Sequence, residues 1–94
     1  MFLKHKKKRY LTVKLDNTIL YDGLWDNLPL TEEIIIAKSI EFFDDKEPCE
    51  IHRSAVQLRL LAELDAIYST PDFKNLFLAY TGFPPECELI FSEK

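Results

Sequence analysis

The first clear pattern along the chain is a strict alternation. In "RYLTVKL", residues 9–15, Leu11, Val13 and Leu15 point one way while Tyr10, Thr12 and Lys14 point the other, the period-two signature of a half-buried strand. Asp16 and Asn17 follow, and both residue types tolerate positive φ, so a two-residue hairpin into "TILYDG" is expected. In that register Val13 faces Leu20 and Lys14 faces Ile19. The outer sheet face then carries Tyr10, Thr12, Ile19 and Tyr21, an apolar set for a surface in water.

The period changes after the turn-rich "DGLWDNLPL", in which Trp25 is expected to plug the junction between sheet and helices. "LTEEIIIAKSIEFFDD" predicts a helix of about three turns, with Thr31 as N-cap and Glu32 and Glu33 in the first turn, where the helix dipole favours negative charge. Ile36, Ala37, Ile40 and Phe43 form its main apolar stripe, leaving Ile35 and Phe42 on another side. "KEP" breaks the chain. A second helix is expected from Cys49 to Tyr68, with two opposed apolar sectors. Ile51, Ala55, Leu58 and Ala62 make one, and Val56, Leu60, Leu64 and Ile67 the other; His52, Arg59 and Glu63 share a polar strip between them.

"STPDFKNLFLAYTG" reads as a third helix, capped by Ser69 or Thr70, with Pro71 at the first helical position and Gly82 at the stop. "ECELIF" alternates again, placing Cys87, Leu89 and Phe91 on one face of a strand that returns to the hairpin. The expected architecture is therefore α+β in the order ββαααβ, a small antiparallel sheet of an N-terminal hairpin plus a C-terminal strand packed on three helices. Residues 1–8 read as a basic flexible arm and residues 9–94 as a single α+β domain.

Composition sharpens this picture. With 94 residues the chain buries roughly 60–65% of its unfolded surface, so its core is thin. Yet 47% of the residues are apolar and 13% aromatic, more than a small core readily hides. No run approaches the roughly 20 apolar residues that cross a bilayer, so no membrane partner is expected. "MFLKHKKKRY" is basic but no apolar run follows it, unlike a secretory signal. Two cysteines are too few for a disulfide scaffold, which favours a reduced, cytoplasmic setting.

The net charge of −4 hides an asymmetry: residues 1–14 hold six of the twelve bases and no acid, leaving six bases against all sixteen acids, or −10, in residues 15–94. An acidic body repels a phosphate backbone, so nucleic acid could be met only through Lys4, Lys6, Lys7, Lys8 and Arg9.

Candidate chemistry is sparse. Cys49 and His52 lie three apart near a helix start, where the dipole lowers a thiol pKa, while the flanking Glu47 and Glu50 oppose that effect. They make a candidate thiol site, with a small apolar plug and a surface histidine as the plainer account. A pair is short of the three or four ligands that zinc takes, so no metal site is expected, and no cofactor. With two glycines there is no phosphate-cradling loop, and no nucleophile elbow is present, so an enzyme is not expected.

The apolar surplus leads to the functional expectation: an acidic, cytoplasmic, non-enzymatic interaction or regulatory module, homodimeric and binding a further protein. The interface candidates are Val56, Leu60, Leu64, Ile67, Ile35, Phe42, Tyr10, Ile19 and Tyr21. Two alternatives stand beside it: a nucleic-acid-associated regulator using the arm, and a redox-sensitive thiol protein centred on Cys49.

Overall fold

The computed structural model describes residues 9–93; the basic arm over residues 1–8, with Lys4, Lys6, Lys7 and Lys8, lies outside the described residues. The elements follow as β1 (Arg9–Leu15), β2 (Thr18–Leu24), a single 3-10 turn (Trp25–Asn27), α1 (Glu32–Phe43), α2 (Glu50–Ala66), α3 (Phe73–Thr81) and β3 (Glu88–Glu93). The order ββαααβ and the α+β class are thus as the periodicities predict. The described residues form two compact units, the sheet unit of residues 9–28 and 83–93, and the helical unit of residues 29–82.

In the sheet unit the strand order is β2-β1-β3, all antiparallel, and the sheet does not close. β1 is central because its alternation carries the two fully buried strand residues, Leu11 and Val13. β3 brings Phe91 opposite Leu11 and Leu89 opposite Val13, so the alternation of "ECELIF" lands on the same face. Asp16 takes φ 55° in the tight turn, a conformation that aspartate enters more readily than most residues. Trp25 is buried, with the Phe91 ring at 5.8 Å and the Arg9 guanidinium 5.0 Å from its own ring centroid.

One expectation about the hairpin is corrected. Lys14 does pair with Ile19, but Val13 pairs with Tyr21 rather than Leu20, because β2 carries an extra residue at this point. A bulge advances one strand by one residue and so reverses the facing of everything beyond it. Tyr21 therefore shares a face with Leu11 and Val13, whereas Ile19 stays on the outer face with Tyr10 and Thr12. Its ring lies over Gly23, where an added Cβ would meet the Tyr21 hydroxyl at 3.0 Å, and that hydroxyl donates to the Leu24 carbonyl at 2.7 Å. Burial, then the Asp22 charge, pushes the Tyr21 phenol above its ordinary pKa.

In the helical unit α1 starts as expected. The Thr31 hydroxyl accepts from the Ile34 N–H at 3.2 Å, satisfying one of the free donors of the first turn. It ends without glycine: Asp44 adopts φ 54°, ψ 39°, and the Asp44 and Asp45 N–H groups close on the Ile40 and Ser39 carbonyls. The buried stripe of α1 is not the one expected. Ile35 and Ser39 are buried and Phe42 half-buried, while Ile40 and Phe43 are exposed. A serine in the middle of that stripe masks it in the sequence, although its small volume suits a closely packed position.

α3 begins at Phe73, two residues later than the expected start at Pro71. The Thr70 hydroxyl is already engaged, donating to the Ile67 carbonyl at 2.8 Å and accepting from the Asp72 N–H at 3.3 Å, so it rounds the turn after α2 instead of capping α3. Phe73, Phe77 and Tyr80 then face inward at helical spacing. Gly82, at φ 75°, terminates α3 by donating to the Leu78 carbonyl at 2.8 Å. The Thr31 N–H reaches the Tyr80 carbonyl at 3.0 Å, tying the start of α1 to the end of α3.

Candidate functional site

α2 decides where any site can lie, because its two apolar sectors meet different fates. Val56, Leu60 and Leu64 have 0% exposure, and Leu61 is buried beside them. Ile67, the residue that ends the helix, is half-buried. Most of the sector offered above as a contact face is thus occupied by the chain's own packing, as is Ile35, while Tyr21 is half-buried. Ile51 and Leu58, at 77% and 67%, are left in solvent with Ala62, and Ala55 is half-exposed. The physical reason is weight. Burying a large aliphatic side chain contributes about 1.5–3 kcal/mol, and the sector of four large residues outcompetes one that is half alanine.

The polar strip between these sectors is committed to neighbouring elements. The Arg59 guanidinium lies 3.8 Å from the centroid of Phe42, with Lys38 on the same ring at 5.9 Å. Phe42 is therefore a cation–π partner within the unit rather than a free apolar surface. Glu63 accepts from the Tyr80 hydroxyl across the α2–α3 contact. Burial, reinforced by Glu63 and Glu41, drives the Tyr80 phenol well above its ordinary pKa. At the start of α2, Arg53 grips Glu32 with two hydrogen bonds of 3.0 and 2.5 Å, and this contact holds the Glu32 carboxyl below its usual value.

The turn from α1 into α2 gathers the chemistry-bearing residues. The left-handed Asp44 turns the chain so that the Asp45 carboxylate folds back over the first turn of α2. Its Oδ1 accepts from the Glu47 N–H at 3.1 Å and its Oδ2 lies 2.6 Å from His52 Nδ1. These bonds, His52 first, hold the Asp45 carboxyl below its ordinary pKa. The His52 ring stacks on Phe43 at 4.1 Å and 3°. Cys49 is the N-cap residue of α2; its carbonyl accepts from the Arg53 N–H at 2.9 Å, its side chain caps nothing, and it is exposed. Donor atoms of Asp45, Cys49 and His52 lie within 4.8 Å of one another.

The structure thus brings the sequence-predicted pair Cys49 and His52 together and adds Asp45. The signal was present as the spacing D-x3-C-x2-H, but it crosses a helix break, and helical periodicity says nothing across a break. Of the other candidates, Tyr10 is half-buried, Ile19 exposed, and Arg9 engaged with Trp25. Among the described residues no helix is long and apolar enough to cross a membrane. No family model, curated protein or solved structure matches the chain.

Proposed function

We propose that the chain is a small non-catalytic interaction module whose contact face is the outer seam of α2, and that this seam pairs first with a second copy of itself. The observation that supports the reading is the row Ile51, Ala55, Leu58, Ala62, whose two large members stand mostly in solvent. Its spacing of four, three and four residues is that of a coiled-coil seam.

The seam is also self-complementary. When two copies run antiparallel about a two-fold axis between residues 55 and 58, Ile51 of one meets Ala62 of the other, and Leu58 meets Ala55. Each large side chain then enters the space left by a small one. Such an interface is isologous, the commonest kind in homodimers. Four seam positions fall short of the roughly 20–30 residues a side of a standard interface, so the contact is small and its dimer concentration-dependent.

Sedimentation equilibrium of the 11.1 kDa chain across the micromolar range tests this reading. The expected result is a shift toward twice the monomer mass with rising concentration, abolished by Leu58→Asp with an unchanged circular dichroism spectrum. A monomer at every concentration, or a dimer indifferent to Leu58→Asp, overturns it.

A further inference from the structure

We infer that Asp45, Cys49 and His52 form a binding site for a divalent transition-metal ion of the zinc type, built at the turn between α1 and α2. The inference is independent of the α2 seam and rests on convergence of donors. A carboxylate oxygen, a thiol sulfur and an imidazole nitrogen lie within 4.8 Å of one another. Zinc binds these three donor types at about 2.0–2.3 Å, which sets the donors of one tetrahedral ion roughly 3.3–3.8 Å apart. The closing movement is therefore at most about 1.5 Å, and the exposed Cys49 side chain, which caps nothing, can make it by rotation about χ1.

The other two donors are already held. Asp45 Oδ1 is fixed by the Glu47 N–H, which leaves Oδ2 turned toward His52 Nδ1 at 2.6 Å. Stacking on Phe43 fixes the plane of the imidazole. Supporting contacts of this kind orient metal ligands and raise their affinity. The ion takes the place of a proton between Oδ2 and Nδ1: a neutral His52 that ligates through Nδ1 carries its proton on Nε2, and the two atoms part from 2.6 Å to admit the ion. Cys49 binds as the thiolate, its proton passing to solvent. Soft sulfur together with imidazole selects zinc-like ions over magnesium or calcium. Three protein ligands on an exposed turn leave the fourth position to water.

The test is titration of reduced, chelator-free protein with Co2+, followed by the thiolate-to-metal charge-transfer band and then by Zn2+ displacement of that band. One ion per chain is expected, with the band lost in Cys49→Ser and affinity at least tenfold weaker in Asp45→Asn and in His52→Ala. A second readout uses the unaltered chain: Zn2+ slows alkylation of Cys49 by iodoacetamide. No band with wild type, a band retained in Cys49→Ser, affinity indifferent to Asp45→Asn and His52→Ala, one ion shared by two chains, or alkylation unchanged by Zn2+ each overturns the site.

Discussion

Leu58 and Leu60 are neighbours on α2 with the same side chain, and the structure assigns them opposite energetic roles. Leu60 is fully buried and Leu58 is mostly in solvent. Leu60→Ala removes buried methyl and methine groups and leaves a cavity that the surrounding Val56, Leu61 and Leu64 only partly fill. Buried leucines cut back in this way lose about 2.7–5 kcal/mol. The whole stability of a chain of 94 residues is roughly 5–14 kcal/mol at the usual value per residue. Leu60→Ala therefore consumes a large share of it, and at about 4–8 °C per kcal/mol its melting temperature falls by roughly 10–40 °C. Leu58→Ala removes the same atoms from solvent, while alanine is slightly the better helix former, so the change stays within about 0.5 kcal/mol. Urea unfolding followed by circular dichroism, at a concentration low enough to keep the chain monomeric, measures both. Equal losses, or a greater loss for Leu58→Ala, would refute the assignment of the packed face and with it the seam.

Three further outcomes follow from single contacts. Ser39 is fully buried and its hydroxyl has no hydrogen-bond partner among the described residues; Ser39→Ala should raise stability by about 1 kcal/mol through lost desolvation cost and better helix propensity, and destabilisation would show the hydroxyl to be bonded. Gly82→Ala forces φ 75° on a residue with a Cβ, which would also meet Thr31 Cγ2 at 3.3 Å; denaturant melts should show a loss of about 1–2 kcal/mol, and a neutral result would place the end of α3 elsewhere. The Tyr80 phenol is pushed up by burial and then by Glu63, so its contribution is fully present below the ordinary tyrosine value near 10 and is lost as pH rises above it, because the unfolded chain ionises first. Between pH 10 and 11.5 the wild type should lose about 1.4 kcal/mol per pH unit more than Tyr80→Phe, and parallel pH profiles would contradict the buried contact.

Much of this was legible before any coordinate. Period-two runs at 9–15 and 87–91, the Thr31 cap, the Gly82 stop and the break at 46–48 suffice for the element order, because each is a local steric or hydrogen-bonding preference of the backbone. Facing was legible on β1 and β3 but not on β2, α1 or α2. The bulge in β2 leaves no mark in an alternation that looks regular, yet it moves Tyr21 to the opposite face of the sheet. On α1 a buried serine hid the packed stripe behind a more apolar one that stands partly in solvent. On α2 two apolar sectors of similar length were visible, and periodicity measures only their existence, not which has a partner.

Local chemistry along the backbone thus determined the order of strands and helices, and that the chain holds more apolar surface than one side of each element can bury. On α1 and α2 tertiary structure alone decided which side is buried, since that depends on summed area across elements distant in sequence. It alone also joined Asp45 to Cys49 and His52, since the carboxylate arrives through the left-handed turn at Asp44, whose direction no pattern of hydrophobic and polar residues encodes.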